Sequence, residues 1–96
     1  MEIYVLIQSN KKSGKIVNVI TAMGMAMLKM WALKNTSKTK QTFIFERNSG
    51  KMVFACSGSN DGFPTIAKDD KLTSCEDVGI ALDDLRSITD DRFDTE

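Results

Sequence analysis

Residues 3–8 read IYVLIQ and residues 15–20 read KIVNVI, two short β-branched and aliphatic runs separated by the polar stretch SNKKSG. Runs of this length between turn residues predict strands. The pair predicts a β-hairpin in which Gly14 supplies the positive φ of a tight loop. The same grammar returns downstream. Residues 42–46 (TFIFE) lead through RNSG into residues 51–56 (KMVFAC). Both turns contain Ser-Gly-Lys, a long aliphatic residue and Val, as SGKIV at 13–17 and SGKMV at 49–53, an offset of 36 residues. Two hairpins of similar design follow. Turn chemistry alone also produces so short a match, so it does not establish a duplication.

Between the hairpins, residues 21–35 read TAMGMAMLKMWALKN. Ala, Met and Leu are strong helix formers, Thr21 is the candidate N-cap and Asn35 the candidate end. Apolar residues occupy most turns, so a largely buried helix is expected. Gly24 inside it points to close packing against a strand. Core filling is the plain reading of Met23, Met25, Met27, Met30 and Trp31, with a methionine face for a partner or a homodimer seam as the alternative. NTSKTKQ then forms a polar, basic loop.

SGSNDGFPT at 57–65 is turn chemistry, with Pro64 extending Phe63 and a short edge strand expected at FPTIA. A final helix is expected within residues 73–89. Ser74 and Asp77 resemble a capping box, and Val78, Leu82, Leu85 and Ile88 keep helical spacing toward a sheet. Gly79 allows another reading, a single turn at CEDVG with the helix restarting near Ala81. The expected architecture is an α+β domain over residues 1–96 in the order ββαββα, with an antiparallel sheet of about four strands. Both helices would pack on one face, and residues 90–96 would form a frayed acidic tail.

Charge changes this picture more than composition does. The chain has 96 residues and a net charge of zero, but residues 1–56 hold nine basic and two acidic side chains, whereas residues 57–96 hold four basic and eleven acidic. A swing from +7 to −7 points to charged partners. The acidic half repeats a doublet every seven residues: Asp69-Asp70, Glu76-Asp77, Asp83-Asp84 and Asp90-Asp91. In a continuous helix that interval returns to nearly one face, drifting about 20° per repeat. A solvated helix face is the plain reading. Arg86 and Arg92 are the only cations beyond residue 72, however, and a face built only for solubility mixes signs. The functional reading is a docking surface for a protein with a basic face. Nucleic-acid mimicry fits less well. One charge per ~5 Å is sparser than the ~3.4 Å of a single strand or the ~1.7 Å of a duplex.

The alternative site is basic. Lys11, Lys12, Lys15, Lys38, Lys40, Arg47 and Lys51 fall in or beside the expected loops, and clustered at one sheet edge they would meet the phosphates of a nucleic acid. Phe43 and Phe45 share one strand face and read as core rather than as a stacking platform.

Other chemistry finds little footing. There is no histidine, which removes the commonest general base and metal ligand. Cys56 and Cys75 are too few for a zinc site and read as reduced thiols, or as a disulfide in an exported protein. Neither KKSGK nor NSGKM completes a phosphate loop, and SGSNDGFPTIAK lacks calcium-loop ligand spacing. No catalytic, metal or cofactor site is expected. The apolar run at 16–33 carries Lys29 and follows a strand-like opening, so neither a signal peptide nor a membrane span is expected. The reading is a cytoplasmic protein.

Overall fold

The computed structural model describes residues 2–59, the backbone of 65–66, and residues 74–88. Both hairpins form. Strands β1 (Tyr4–Asn10) and β2 (Ile16–Ala22) pair antiparallel, as do β3 (Lys40–Glu46) and β4 (Met52–Ser57). They lie side by side through β1 and β3, in register from Tyr4↔Glu46 to Asn10↔Lys40. A two-residue strand, β5 (Thr65–Ile66), adds to β4, giving the order β2-β1-β3-β4-β5.

The two turns share one construction. Asn10 N donates to Lys15 O at 2.9 Å and Gly14 N to Asn10 O at 2.8 Å; Glu46 N donates to Lys51 O and Gly50 N to Glu46 O, both at 2.8 Å. In each, the serine before the glycine accepts from the following lysine's N–H at 3.2 Å. Gly14 and Gly50 have φ of 72° and 73°, the left-handed region that glycine enters without steric cost.

The helix α1 (Met25–Asn35) begins later than expected. Thr21 belongs to β2, pairing with Val5, and is not the N-cap. Gly24 is the N-cap, in extended conformation, and a side chain there would meet nothing, so its expected close packing inside the helix is not found. Strand pairing with β1 carries β2 through Ala22, past the point where helix propensity alone starts the helix.

The expectation that both helices share one sheet face is overturned. Leu28 and Ala32 of α1 pack on Leu6, Ile20, Ile44 and Cys56. The C-terminal residues Cys75 and Leu85 pack on Val5, Ile7, Phe43 and Phe45, the opposite parity along the same strands. The cause is in the central strands. β1 and β3 are apolar at successive positions, so both of their faces need cover. Phe43 and Phe45 are core, their ring centroids 6.1 Å apart.

The C-terminal cover is two short pieces. A 3-10 helix, Cys75–Val78, is closed by Gly79 at φ 85°, and α2 (Leu82–Arg86) restarts after Ala81. Here the Gly79 reading holds over the continuous helix. The Ser74–Asp77 capping box forms, Ser74 N donating to Asp77 Oδ2 at 3.0 Å. Leu85 is buried, and Val78, Leu82 and Ile88 pack beside it toward the sheet.

A buried polar chain holds the end of α1 to the sheet. Gln8 Nε2 donates to Asn35 O (3.0 Å) and Thr42 Oγ1 (3.1 Å), and Asn18 Nδ2 donates to Gln8 Oε1 (2.8 Å). Thr36 Oγ1 lies 2.6 Å from both Ala32 O and Thr42 Oγ1. Among the described residues no buried side-chain nitrogen or oxygen lacks a partner, as a low-dielectric interior requires. No helix there is long and apolar enough to cross a membrane.

Candidate interaction surfaces

Asp69, Asp70, Asp90, Asp91 and the tail 90–96 lie outside the described residues. Glu76, Asp77, Asp83 and Asp84 are all exposed, on the sheet face opposite α1. They do not form one continuous helical face as the seven-residue interval implies. The 3-10 turn, left-handed Gly79 and extended Ala81 break the helical phase between the doublets. Their exposure has a different origin: each short piece turns Cys75, Val78, Leu82 or Leu85 inward and its acids outward. Asp77 is also partly committed. Its carboxylate accepts from Ser74 N and Ser74 Oγ, so it caps the turn as well as facing solvent.

The two arginines near this surface are directed elsewhere. Arg86 Nε and Nη2 both donate to Asn48 O, at 2.8 and 2.6 Å, and Arg47 Nη1 donates to Ile88 O at 2.9 Å. The guanidinium groups fasten the C-terminal segment to the β3–β4 turn through main-chain carbonyls.

The seven basic residues do not share one edge. Lys11, Lys12, Lys15, Lys38 and Lys40 gather at the end of the sheet where Asn10 faces Lys40. Arg47 and Lys51 lie at the opposite end, on the β3–β4 turn, under the C-terminal segment. The hairpins are antiparallel neighbours, so their turns must point in opposite directions. At the lysine end, Lys11 N donates to Thr39 O (2.9 Å) and Lys11 Nζ to Gly58 O (2.6 Å). Gly58 passes so close to the backbone of Ser37 and Lys38 that no larger residue fits. The result is a cleft of about 260 Å³ lined by Asn10, Lys11, Lys12, Lys38 and Thr39.

Three of the methionines overturn the expected core role, whereas Trp31 packs against the cluster under α1. Met23, Met27 and Met30 are 65%, 76% and 63% exposed, and Leu33 is 43% exposed. Met25 and Trp31 are half-buried. α1 buries one narrow stripe and leaves a second apolar stripe outside. The missed signal was available: a helix apolar all round has only one face to give to a single sheet.

Cys56 and Cys75 are free and buried on opposite faces of the sheet, so the sheet stands between them. Burial pushes the Cys56 thiol up, partly opposed by the hydroxyls of Thr36 and Thr42. Burial and then the Glu76 carboxylate push up the Cys75 thiol. Both are poor nucleophiles in this state. A recess of about 120 Å³ between the sheet and residues 78–80 is lined by Ile7, Ser9, Gln41, Phe43 and their neighbours, with no titratable side chain. No group of three or more metal-ligating side chains occurs among the described residues. No protein-family model, curated protein or solved structure matches this chain.

Proposed function

We propose that this protein is a non-enzymatic accessory or inhibitory factor that docks a basic protein surface through the carboxylates of its C-terminal segment. The observation that carries the reading is where Arg47 and Arg86 point. Arg47 and Arg86, beside the acidic face, are engaged by backbone carbonyls, while Glu76, Asp83 and Asp84 are turned to solvent. A positive partner surface supplies counter-charge to these carboxylates and steers the encounter.

The test separates docking from capping by leaving Asp77 alone. Glu76→Lys/Asp83→Lys/Asp84→Lys should keep a native circular-dichroism spectrum and lose the partner captured by the wild type from the native host. That partner should present a basic surface, and its capture should weaken with salt. Undiminished capture by the triple variant sinks the reading.

The lysine end supports a second reading, contact with nucleic-acid phosphates, because Lys11, Lys12 and Lys38 converge on one cleft. With Phe43 and Phe45 buried, that end has no stacking platform from this strand, so binding would be backbone-directed and insensitive to sequence. Affinity for a random oligonucleotide should then fall steeply between about 50 and 200 mM salt. No binding at low salt removes this alternative.

A further inference from the structure

Met27 and Met30 are the centre of an apolar row on the outer side of α1, with Ala26 and Leu33 exposed beside them. Within α1, Met27, Met30 and Lys34 are spaced three and four residues apart. That is the spacing of a helix–helix seam, with a cation at one seam position. The helix itself carries a single sign: Met25–Asn35 holds Lys29 and Lys34 and no Asp or Glu. Lys34 and Lys38 are exposed, and Lys29 lies 5.7 Å from the Phe54 ring centroid.

We propose that this face is the docking site for an amphipathic helix whose apolar stripe covers Met27 and Met30 and whose flanks are acidic. Methionine's unbranched, polarizable side chain suits such a groove because it repacks around different partners. Charge selects the occupant. A second copy of this chain docked α1 to α1 brings the same lysines and no carboxylate, and its exposed Glu76, Asp83 and Asp84 sit on pieces of four and five residues, too short to lie along the row. A lipid surface meets a different obstacle. An interfacial helix keeps its cations on the polar face, whereas Lys34 continues the same row as Met27 and Met30. A helix with a carboxylate at the matching position covers the methyl groups and pairs the ammonium together. The face lies across the sheet from Glu76, Asp83 and Asp84, so the proposal stands or falls independently of the acidic surface.

The probes are two synthetic helical peptides with one leucine stripe, one flanked by glutamates and the other by lysines, added to the full chain with 13C-labelled methionine methyls. The glutamate peptide should shift the Met27 and Met30 signals and leave Met52, on the other side of the sheet, unchanged. Met27→Glu/Met30→Glu should weaken it by about tenfold or more, as loss of a central apolar anchor does. Lys34→Glu should move preference toward the lysine peptide. Both positions are exposed, so the variants should fold, with circular dichroism as the check. Equal binding of the two peptides, or none, overturns the proposal. So does tighter binding to phosphatidylserine vesicles that is lost on Met27→Glu/Met30→Glu, which assigns the face to lipid. A sedimenting dimer broken by the same change overturns it in favour of a second copy.

Discussion

The two hairpin turns were built to one recipe and put to different uses. Both place a glycine at φ near 72° after a serine that accepts from the next lysine's N–H. Around Gly14 there is open space: a side chain there would meet nothing within 4 Å. Around Gly50 a Cβ would come within 2.8 Å of Leu82 Cδ1 and 2.9 Å of Cys75 Sγ. Gly50 O accepts from Cys75 N at 2.8 Å, and Asn48 O takes the Arg86 guanidinium. The first turn is a lysine-bearing loop, tied to Thr39 and Gly58 through Lys11. The second is the seat of the C-terminal cover. Identical local chemistry therefore says how a turn is made and nothing about what lies on it.

The sharpest way to break the comparison is Gly50→Ala against Gly14→Ala. At Gly14 the cost is backbone strain alone, about 1 kcal/mol. At Gly50 the same strain adds to an overpacking cost of about 1–3 kcal/mol, so urea unfolding should show Gly50→Ala the more damaging by at least the second figure. Equal effects would mean the C-terminal segment does not rest on the turn in solution. Leu85→Ala comes next. Leu85 is fully buried in the cluster under that segment, and truncation should cost about 2–5 kcal/mol. Proteolytic cleavage near residues 79–81 should then precede cleavage in the first hairpin. Arg86→Ala should cost less, about 1 kcal/mol or below, because its bonds to Asn48 O lie at an exposed site. The same change in the Gly50→Ala background should cost less than its full effect, since both act on one contact.

The smallest effect is on pH dependence. Both thiols are raised in the folded chain, so unfolded thiols lose protons first as pH passes the ordinary range near about 8.5. Above that range the folded state binds more protons, and stability falls as pH rises; below it the thiols contribute no slope. Urea midpoints should show this decline, and Cys75→Ser should flatten part of it.

Strand identity, both turns and the capping box were legible because each is set within a few residues: β-branched runs, Ser-Gly-Lys, Ser74 with Asp77. Glu76, Asp77, Asp83 and Asp84 were legible as exposed for the same reason, since apolar neighbours turn inward. Their supposed single face was not, because one glycine with positive φ resets helical phase, and the charge interval is blind to that. The basic cluster failed differently. Seven cations in loops look equivalent until strand order sends one turn to each end of the sheet. Gln8, Thr36 and Thr42 read as ordinary polar residues, and only the approach of α1 to the sheet makes them a connected network.

What the amino-acid order determined by itself is local: which segments are strands, where the chain must turn, and that charge is segregated along its length. What tertiary structure decided is which surfaces those segments share. Two sheet faces needed cover because the central strands are apolar on both sides. With, among the described residues, one short helix on one face and two short pieces on the other, methionines of α1 were left outside, and Arg86 of the C-terminal segment and Arg47 of the β3–β4 turn were drawn to backbone carbonyls. Burial depends on where distant segments meet, and short-range pattern cannot encode that.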